Sequence, residues 1–251
     1  MTDVLVLIPC RDEGASVASV VEGFRKELPD ARILVVDNGS RDDTGERAAR
    51  AGAQILRVPE GGKGAAVRAG LAQARKGELL LLVDGDGAFA PEDASALLAP
   101  IQRGAADLVV GNRFALPRGE MSFRRGLNRG LNALVRGLFG SSQHDLLSGY
   151  RALAPEFWSA LDLRSPGFEI EMELGLAAMA GGYRLREVPV TVRPRTGGSS
   201  KIRVGRDGFR LLYFLLRWVA SSSHPDPVGQ HDVGGEGSEA QHRRHSPKGP
   251  R

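Results

Sequence analysis

The stretch Glu78-Leu-Leu-Leu-Leu-Val83-Asp84-Gly85-Asp86-Gly87 constrains the fold more than any other part of these 251 residues. Five apolar residues, Leu79 to Val83, run without a break, and two aspartates separated by one glycine follow at once. Such a run reads as a strand buried on both faces, as in the middle of a parallel sheet. A strand of this kind delivers its next residues to the carboxyl edge of the sheet, where open α/β folds bind ligands. Two carboxylates with nothing bulky between them suit a divalent cation that carries phosphates.

The pattern recurs on either side. Residues 4–8, 32–36, 54–58 and 107–110 are further strand-like runs, each closed by a polar or glycine-containing loop. Between them, apolar spacing predicts a helix over 16–28, with Ser16 as its cap and Val17, Val20, Val21 and Phe24 on one face. Further helices are expected from Asp42 or Asp43 through Ala51, over 65–74, and after Pro91, which suits a first turn. This alternation with short connections predicts an α/β fold, a doubly wound and mostly parallel sheet with helices on both faces. Beyond Arg113 it loosens. A basic helix over 122–139, a short strand over 150–153, a helix over 168–179 and a strand over 185–192 are expected, with Pro189 predicting an edge or a bulge. From Ser223 on there is almost nothing to bury, and residues 223–251 read as a disordered tail.

Hydrophobic residues make up 41% and charged residues 25%, ordinary values for a globular protein with a sizeable core. The single cysteine, Cys10, excludes an internal disulfide, and the N-terminus lacks a basic signal-peptide region. A cytoplasmic location is the expectation. The net charge of +4 is unevenly spread. Residues 113–136 hold six arginines against Glu120, and residues 193–217 hold seven Lys/Arg against Asp207. Positive charge is thus concentrated in the second half, which suggests an anionic ligand or surface there. Nothing resembles a nucleic-acid reader: there is no aromatic interleaving and no helix-turn-helix or finger pattern.

Several motifs stand in one order. Pro9-Cys-Arg-Asp-Glu13 follows strand 1, and Val36-Asp37-Asn-Gly-Ser40-Arg-Asp-Asp-Thr44 follows strand 2. Gly62-Lys63-Gly64 opens a helix, Asp84-Gly-Asp86 ends strand 4, and Gly111-Asn-Arg113-Phe ends strand 5. Asp145-Leu-Leu-Ser-Gly-Tyr-Arg151, Phe168-Glu-Ile-Glu171 and Arg195-Thr-Gly-Gly-Ser-Ser-Lys201 come next. Over about residues 3–217 this order resembles the family 2 glycosyltransferases with a GT-A (nucleotide-diphospho-sugar transferase) fold, in the branch similar to dolichyl-phosphate mannose synthase. The resemblance implies a GDP- or UDP-sugar donor, a divalent cation (Mg2+ or Mn2+) and inverting transfer without a covalent intermediate. It carries nucleotide-sugar contacts onto Pro9, Arg11, Glu13 and Asp37, with Lys63 and Asp84 nearby, and the metal onto Asp86, with Asp84 as its partner. It also implies one glycosyltransferase domain over 1–222, with a nucleotide-sugar half (1–113) and an acceptor half (114–222). In one respect the chain departs from the pattern: where these synthases often carry a glutamine as a further metal ligand, it has Ala88.

The second half suggests the acceptor. Arg125 and Arg129 are four apart and share a helix face. With Arg113, Arg195, Ser199 and Lys201 they suit an acceptor phosphate, since guanidinium binds phosphate bidentately. Asp145 is open to two readings. A hydroxyl acceptor needs a general base and makes Asp145 the candidate; a phosphate acceptor is already anionic and leaves Asp145 to orient other groups. The catalytic set is therefore Asp86, Asp145 and Arg113. Helix 205–220 is apolar almost all round, and too short to span a bilayer, which needs about 20 residues. It suits a core helix, a subunit contact or the surface of a membrane, with Arg210 and Arg217 at the headgroups. Polyprenyl phosphate at the inner membrane face is the acceptor these features favour. The alternatives are a soluble hydroxyl acceptor or growing glycan, and a non-catalytic nucleotide- or lipid-binding module. A P-loop ATPase fits poorly, because Ala65 follows Gly64 where that motif needs Lys-Ser/Thr. A sugar-phosphate nucleotidyltransferase also fits poorly, since no glycine precedes Gly14 after strand 1.

Overall fold

The computed structural model describes residues 3–115, 123–140, 143–195 and 204–220. The tail 223–251 and the loop residues Ser199 and Lys201 lie outside the described residues, and for Arg125 only the backbone is described. Among the described residues seven strands form one sheet in the order β3-β2-β1-β4-β6-β5-β7. They are β1 (Val4–Cys10), β2 (Arg32–Asn38), β3 (Gln54–Val58), β4 (Leu79–Leu82), β5 (Leu108–Asn112), β6 (Arg151–Leu153) and β7 (Leu185–Pro189). The pairs β1–β2, β2–β3, β1–β4 and β5–β7 are parallel, whereas β6 lies antiparallel between β4 and β5. All four residues of β4 are buried, as their unbroken apolar run requires. Strand β7 ends at Pro189 on the edge of the sheet, where a missing N–H costs no ladder bond.

The helices follow the apolar spacing closely. Helix α1 (Val17–Glu27) buries Val17, Val20, Val21 and Phe24. Ser16 occupies its cap position without capping it; the hydroxyl donates instead to the carbonyl of Gly85, 2.8 Å away. Helices α2 (Thr44–Arg50), α3 (Lys63–Leu71) and α4 (Ala94–Gln102) follow, α4 entered through a 3-10 turn at Pro91–Asp93. The second half holds α5 (Phe123–Phe139), the short α6 (Pro155–Ser159), α7 (Glu169–Ala180) and α8 (Val204–Ala220). Beyond β7 the chain bends back, and Val192 pairs antiparallel with Phe89, just past the Asp84-Gly-Asp86 turn.

Two apolar cores result. The larger one surrounds the sheet. The smaller joins Val135 of α5, Leu146, Met172 and Leu176 of α7, and Leu215 of α8. It holds α5 and α8 against α7 and leaves the opposite faces of both bare. Leu134 and Leu138 on α5, and Phe209, Leu212, Tyr213, Leu216 and Val219 on α8, are exposed, Phe209 by 71%. Among the described residues, these two helices carry every large exposed hydrophobic side chain. No helix there is long and apolar enough to cross a membrane.

Candidate active site

Strands β1, β2, β4 and β5 deliver their ends to one edge of the sheet, and the reversed β6 begins there at Arg151, paired with Leu82 and Val110. A cavity of about 1180 Å3 opens over this edge. Its floor carries Pro9, Arg11 and Glu13 after β1, Asn38 on β2, Lys63 on α3, Asp84 and Asp86 after β4, and Arg113 after β5. Its far side is formed by Leu131 and Leu134 of α5 and by Arg206, Phe209, Arg210, Leu211 and Leu212 of α8.

The glycines before Lys63 are steric necessities. Gly62 has φ +85°, a conformation that L side chains rarely adopt, and a side chain there would meet the carbonyl of Pro166. A Cβ on Gly64 would lie 1.9 Å from the carbonyl of Ser165, while its N–H donates to Pro166 O at 2.9 Å. The start of α3 is thereby pressed onto the loop before α7. Lys63 is left bridging two carboxylates, Asp84 of the acidic turn and Glu171 of α7. Burial works against the Lys63 ammonium, yet the two carboxylates outweigh it and hold its pKa above the ordinary lysine value. Burial likewise works against the Asp84 carboxylate, but Lys63 prevails and its pKa is lowered. Glu171 is raised, by burial first and by Asp84 second, against the pull of Lys63.

Asp86 is mostly buried. One of its oxygens accepts the Ala88 N–H at 3.0 Å, and the other meets Arg195 Nε at 2.7 Å. Burial and the nearby Asp84 push its pKa up, so this carboxylate carries less compensation than Asp84 does. Lys63, Arg113 and Arg195 equal Asp84, Asp86 and Glu171 in number, and all six line the cavity. A diphosphate seated here would add negative charge to a group of six whose charges already balance.

Arg113 is held in a fork. Its Nε and Nη2 donate to the two oxygens of Asp145 at 2.8 and 2.7 Å, and its backbone N–H adds a third bond at 2.9 Å. Asp145 is fully buried and lies outside the cavity lining; its own N–H donates to Glu187 at 2.7 Å. Arg113 and Arg129 both lie over the ring of Phe114, at 5.9 and 5.2 Å from its centre. Arg11 pairs with Glu60 at 2.6 Å.

The structure thus gathers Pro9, Arg11, Glu13, Lys63, Asp84, Asp86, Arg113 and Arg195 around one cavity. Asp37 lies apart from its lining. Its carboxylate accepts the Ser40 N–H at 3.0 Å and packs against Gly45, while the next residue, Asn38, faces the opening. Asn38 and Phe168 line the cavity without having been singled out in the sequence. Asn38 sits beside Asp37 in the same loop motif, and Phe168 opens the motif that holds Glu171, so adjacency was the available signal.

A sheet of this order, with a reversed strand beside the strand that ends in Asp-Gly-Asp, is the GT-A fold, and the solved structures agree. A glucosyl-3-phosphoglycerate synthase from Mycobacterium tuberculosis, in complex with Mn2+, UDP and glucosyl-3-phosphoglycerate, superposes with a TM-score of 0.72 at 25% identity, over 86% of this chain and 79% of that one. Residues 5–155 match the family model for glycosyl transferase family 2. Glycosyltransferase AglJ of Haloferax volcanii is 37% identical over 88% of this chain and 73% of its own length. The polyprenol monophosphomannose synthase of Mycolicibacterium smegmatis is 35% identical over 85% of this chain and 86% of its own. The chain belongs to glycosyl transferase family 2, and its activity is that of a glycosyltransferase.

Proposed function

We propose that this chain is an inverting, metal-dependent hexosyltransferase that moves a hexose from a GDP- or UDP-sugar to a polyprenyl monophosphate at a membrane surface. The observation that carries the reading is the shape of the cavity. One end is charged and lies at the strand ends; the other runs out between α5 and α8, beside the bare apolar faces of both. A substrate with a phosphate head and a hydrocarbon tail matches that sequence of surfaces. The polyprenol phosphate acceptor named for the Mycolicibacterium relative supports the same choice.

The donor side is assigned to Pro9, Arg11, Glu13 and Lys63, and to Asp37 through the loop it shapes beside Asn38. A divalent cation fits beside them. Asp84 and Asp86 offer hard oxygen donors, and a diphosphate needs positive charge that the paired residues do not supply. Among the described residues no group of three or more His, Cys, Asp or Glu forms a dedicated cage. That suits an ion shared between one or two carboxylates, phosphate oxygens and water. Asp86, with Asp84 beside it, would hold the ion, whose chemistry is that of a Lewis acid at the departing diphosphate. Lys63 stabilises the same developing charge.

Arg113, Arg125, Arg129, Arg195, Ser199 and Lys201 are assigned to the acceptor phosphate. One of its oxygens attacks the anomeric carbon as the bond to the diphosphate oxygen breaks, and the configuration inverts. The attacking oxygen is already anionic near neutral pH, so no base is required. Asp145 then serves to hold Arg113 in its fork.

The test is a screen of GDP- and UDP-hexoses with Mn2+ or Mg2+ against undecaprenyl phosphate in detergent, beside soluble sugar and phosphoglycerate acceptors. Metal-dependent formation of a lipid-linked hexose is expected. Transfer to soluble acceptors alone would overturn the reading.

A further inference from the structure

Among the described residues Arg151 heads the largest fully buried side chains, and nothing in the donor or acceptor chemistry above uses it. It opens β6 and sits between the strand that ends in Asp84 and the strand that ends in Arg113. The chain from Asp145 to Gly149 wraps around its guanidinium with carbonyls turned inward. Nε donates to Ser148 O at 2.8 Å, Nη2 donates to Leu146 O, and Nη1 is buried without a partner.

This short loop touches both halves of the site. At one end Asp145 grips Arg113. At the other, Gly149 lies so close to Asp84 that a Cβ would stand 2.3 Å from its carboxylate oxygen. In between, Leu146 is pinned by its N–H to Asn132 Oδ1 of α5 at 3.0 Å and by its side chain against Gly175 of α7. Inward-facing carbonyls in a loop buried everywhere but at Leu147 require a donor at the centre, because an unmet carbonyl there is costly. The charges facing the guanidinium are Glu171 of α7, Asp145 of the loop, Arg113 after β5 and Asp84 after β4. Three of these four are carboxylates, so the buried cation offsets negative charge that water cannot reach. Burial, helped by Arg113 and opposed by the three carboxylates, lowers the pKa of Arg151 to about 10, which leaves it charged throughout the physiological range.

We propose that Arg151 is a positioning residue for the transfer step: by organising residues 145–149 from within, it fixes Arg113 relative to Asp84, and so the acceptor phosphate relative to the donor. It touches neither substrate. Misplacing reacting groups by about 1 Å from a distance costs on the order of 10²-fold in rate. The expected signature is therefore a loss in kcat with little change in donor affinity.

The inference rests on the glycosyl-transfer reading, and wild-type turnover measured in parallel separates the two. If the wild type does not glycosylate undecaprenyl phosphate, the acceptor assignment fails; the comparison is then made on whichever acceptor the wild type uses, or on donor hydrolysis. The variants are Arg151→Met, Arg151→Lys and Asn132→Ala, the last removing the loop's other tether while keeping the buried charge. Arg151→Met is expected to lower kcat about 10²-fold with donor KM within about threefold, and Arg151→Lys to recover at least about tenfold of it. Asn132→Ala is expected to show the same split at smaller size, and it carries the test if Arg151→Met does not fold. Folded variants with wild-type kcat, or with kcat/KM lost entirely through donor KM, would overturn the proposal.

Discussion

Gly64 shows how closely the site is built at the level of single residues. Its missing side chain lets α3 rest on the carbonyl of Ser165, and that contact sets where Lys63 stands. Gly64→Ala forces backbone apart and is expected to cost about 1–3 kcal/mol. Its melting temperature should fall by several degrees, with weaker nucleotide binding read by calorimetry. Asp86→Asn keeps the size of the side chain and loses its charge. A drop of about 10²-fold or more in Mn2+-stimulated turnover is expected, read from a metal titration; unchanged metal dependence would remove Asp86 from the proposed ion site. The acidic pair was legible because it follows an apolar run directly. The tie from Lys63 to Glu171 was not, since 108 residues separate them and no local pattern links a glycine turn to a later helix. The burial of Arg151 was not legible for a related reason: a sequence does not show which of 29 arginines lies buried beneath a site rather than in solvent.

Among the elements, α5 and α8 decide what kind of partner the protein meets. Each turns part of its apolar surface onto the small core around Leu146 and leaves the rest bare. Burying a leucine or valine is worth roughly 1.5–3 kcal/mol, so two such residues on one face contribute more than tenfold in affinity for an apolar phase. Leu216→Glu combined with Val219→Glu is expected to reduce cosedimentation with anionic phospholipid vesicles by about tenfold or more. Turnover on a short-chain, water-soluble prenyl phosphate should stay near wild type. Equal vesicle binding by both proteins would assign the bare faces to another task. The apolar character of α8 was plain in the sequence, while α5 read first as a basic helix. What it left open was the division of each helix between core and surface, which depends on where Met172 and Leu176 of α7 are placed.

For the molecule as a whole, Arg32 and Glu78 join the starts of β2 and β4 across the sheet, by contacts of 2.7 and 2.9 Å. Burial opposes the Glu78 carboxylate, but Arg32 and the Arg75 N–H outweigh it and hold its pKa below the usual range. A depressed pKa stabilises the fold above the unfolded carboxylate value and loses that contribution as pH falls through the folded one. Glu78→Gln should therefore melt below wild type at pH 7, by about 1–2 kcal/mol, and the gap should narrow below about pH 4. A gap that does not change with pH would show that the pair contributes through packing alone. The succession of β1 to β5 and their parallel sense could be read from alternation and short connections. The reversal at β6 could not, because three residues flanked by loops carry no local sign of the two strands they join.

That reversed strand also dictates an order of events during synthesis. β4 and β5 each pair with β6, so the central seam of the sheet stays open until residue 153 has been made. A nascent chain that has already produced β1 to β5 carries two raw inner edges, the kind of surface that recruits foreign strands. Only when 151–153 emerge from the ribosome can the joining strand slide between them, with the edge strand β7 still to follow. A premature stop between the end of β5 and residue 151 would thus release an aggregation-prone fragment rather than a smaller working protein, even though every residue of the acidic turn would be present in it.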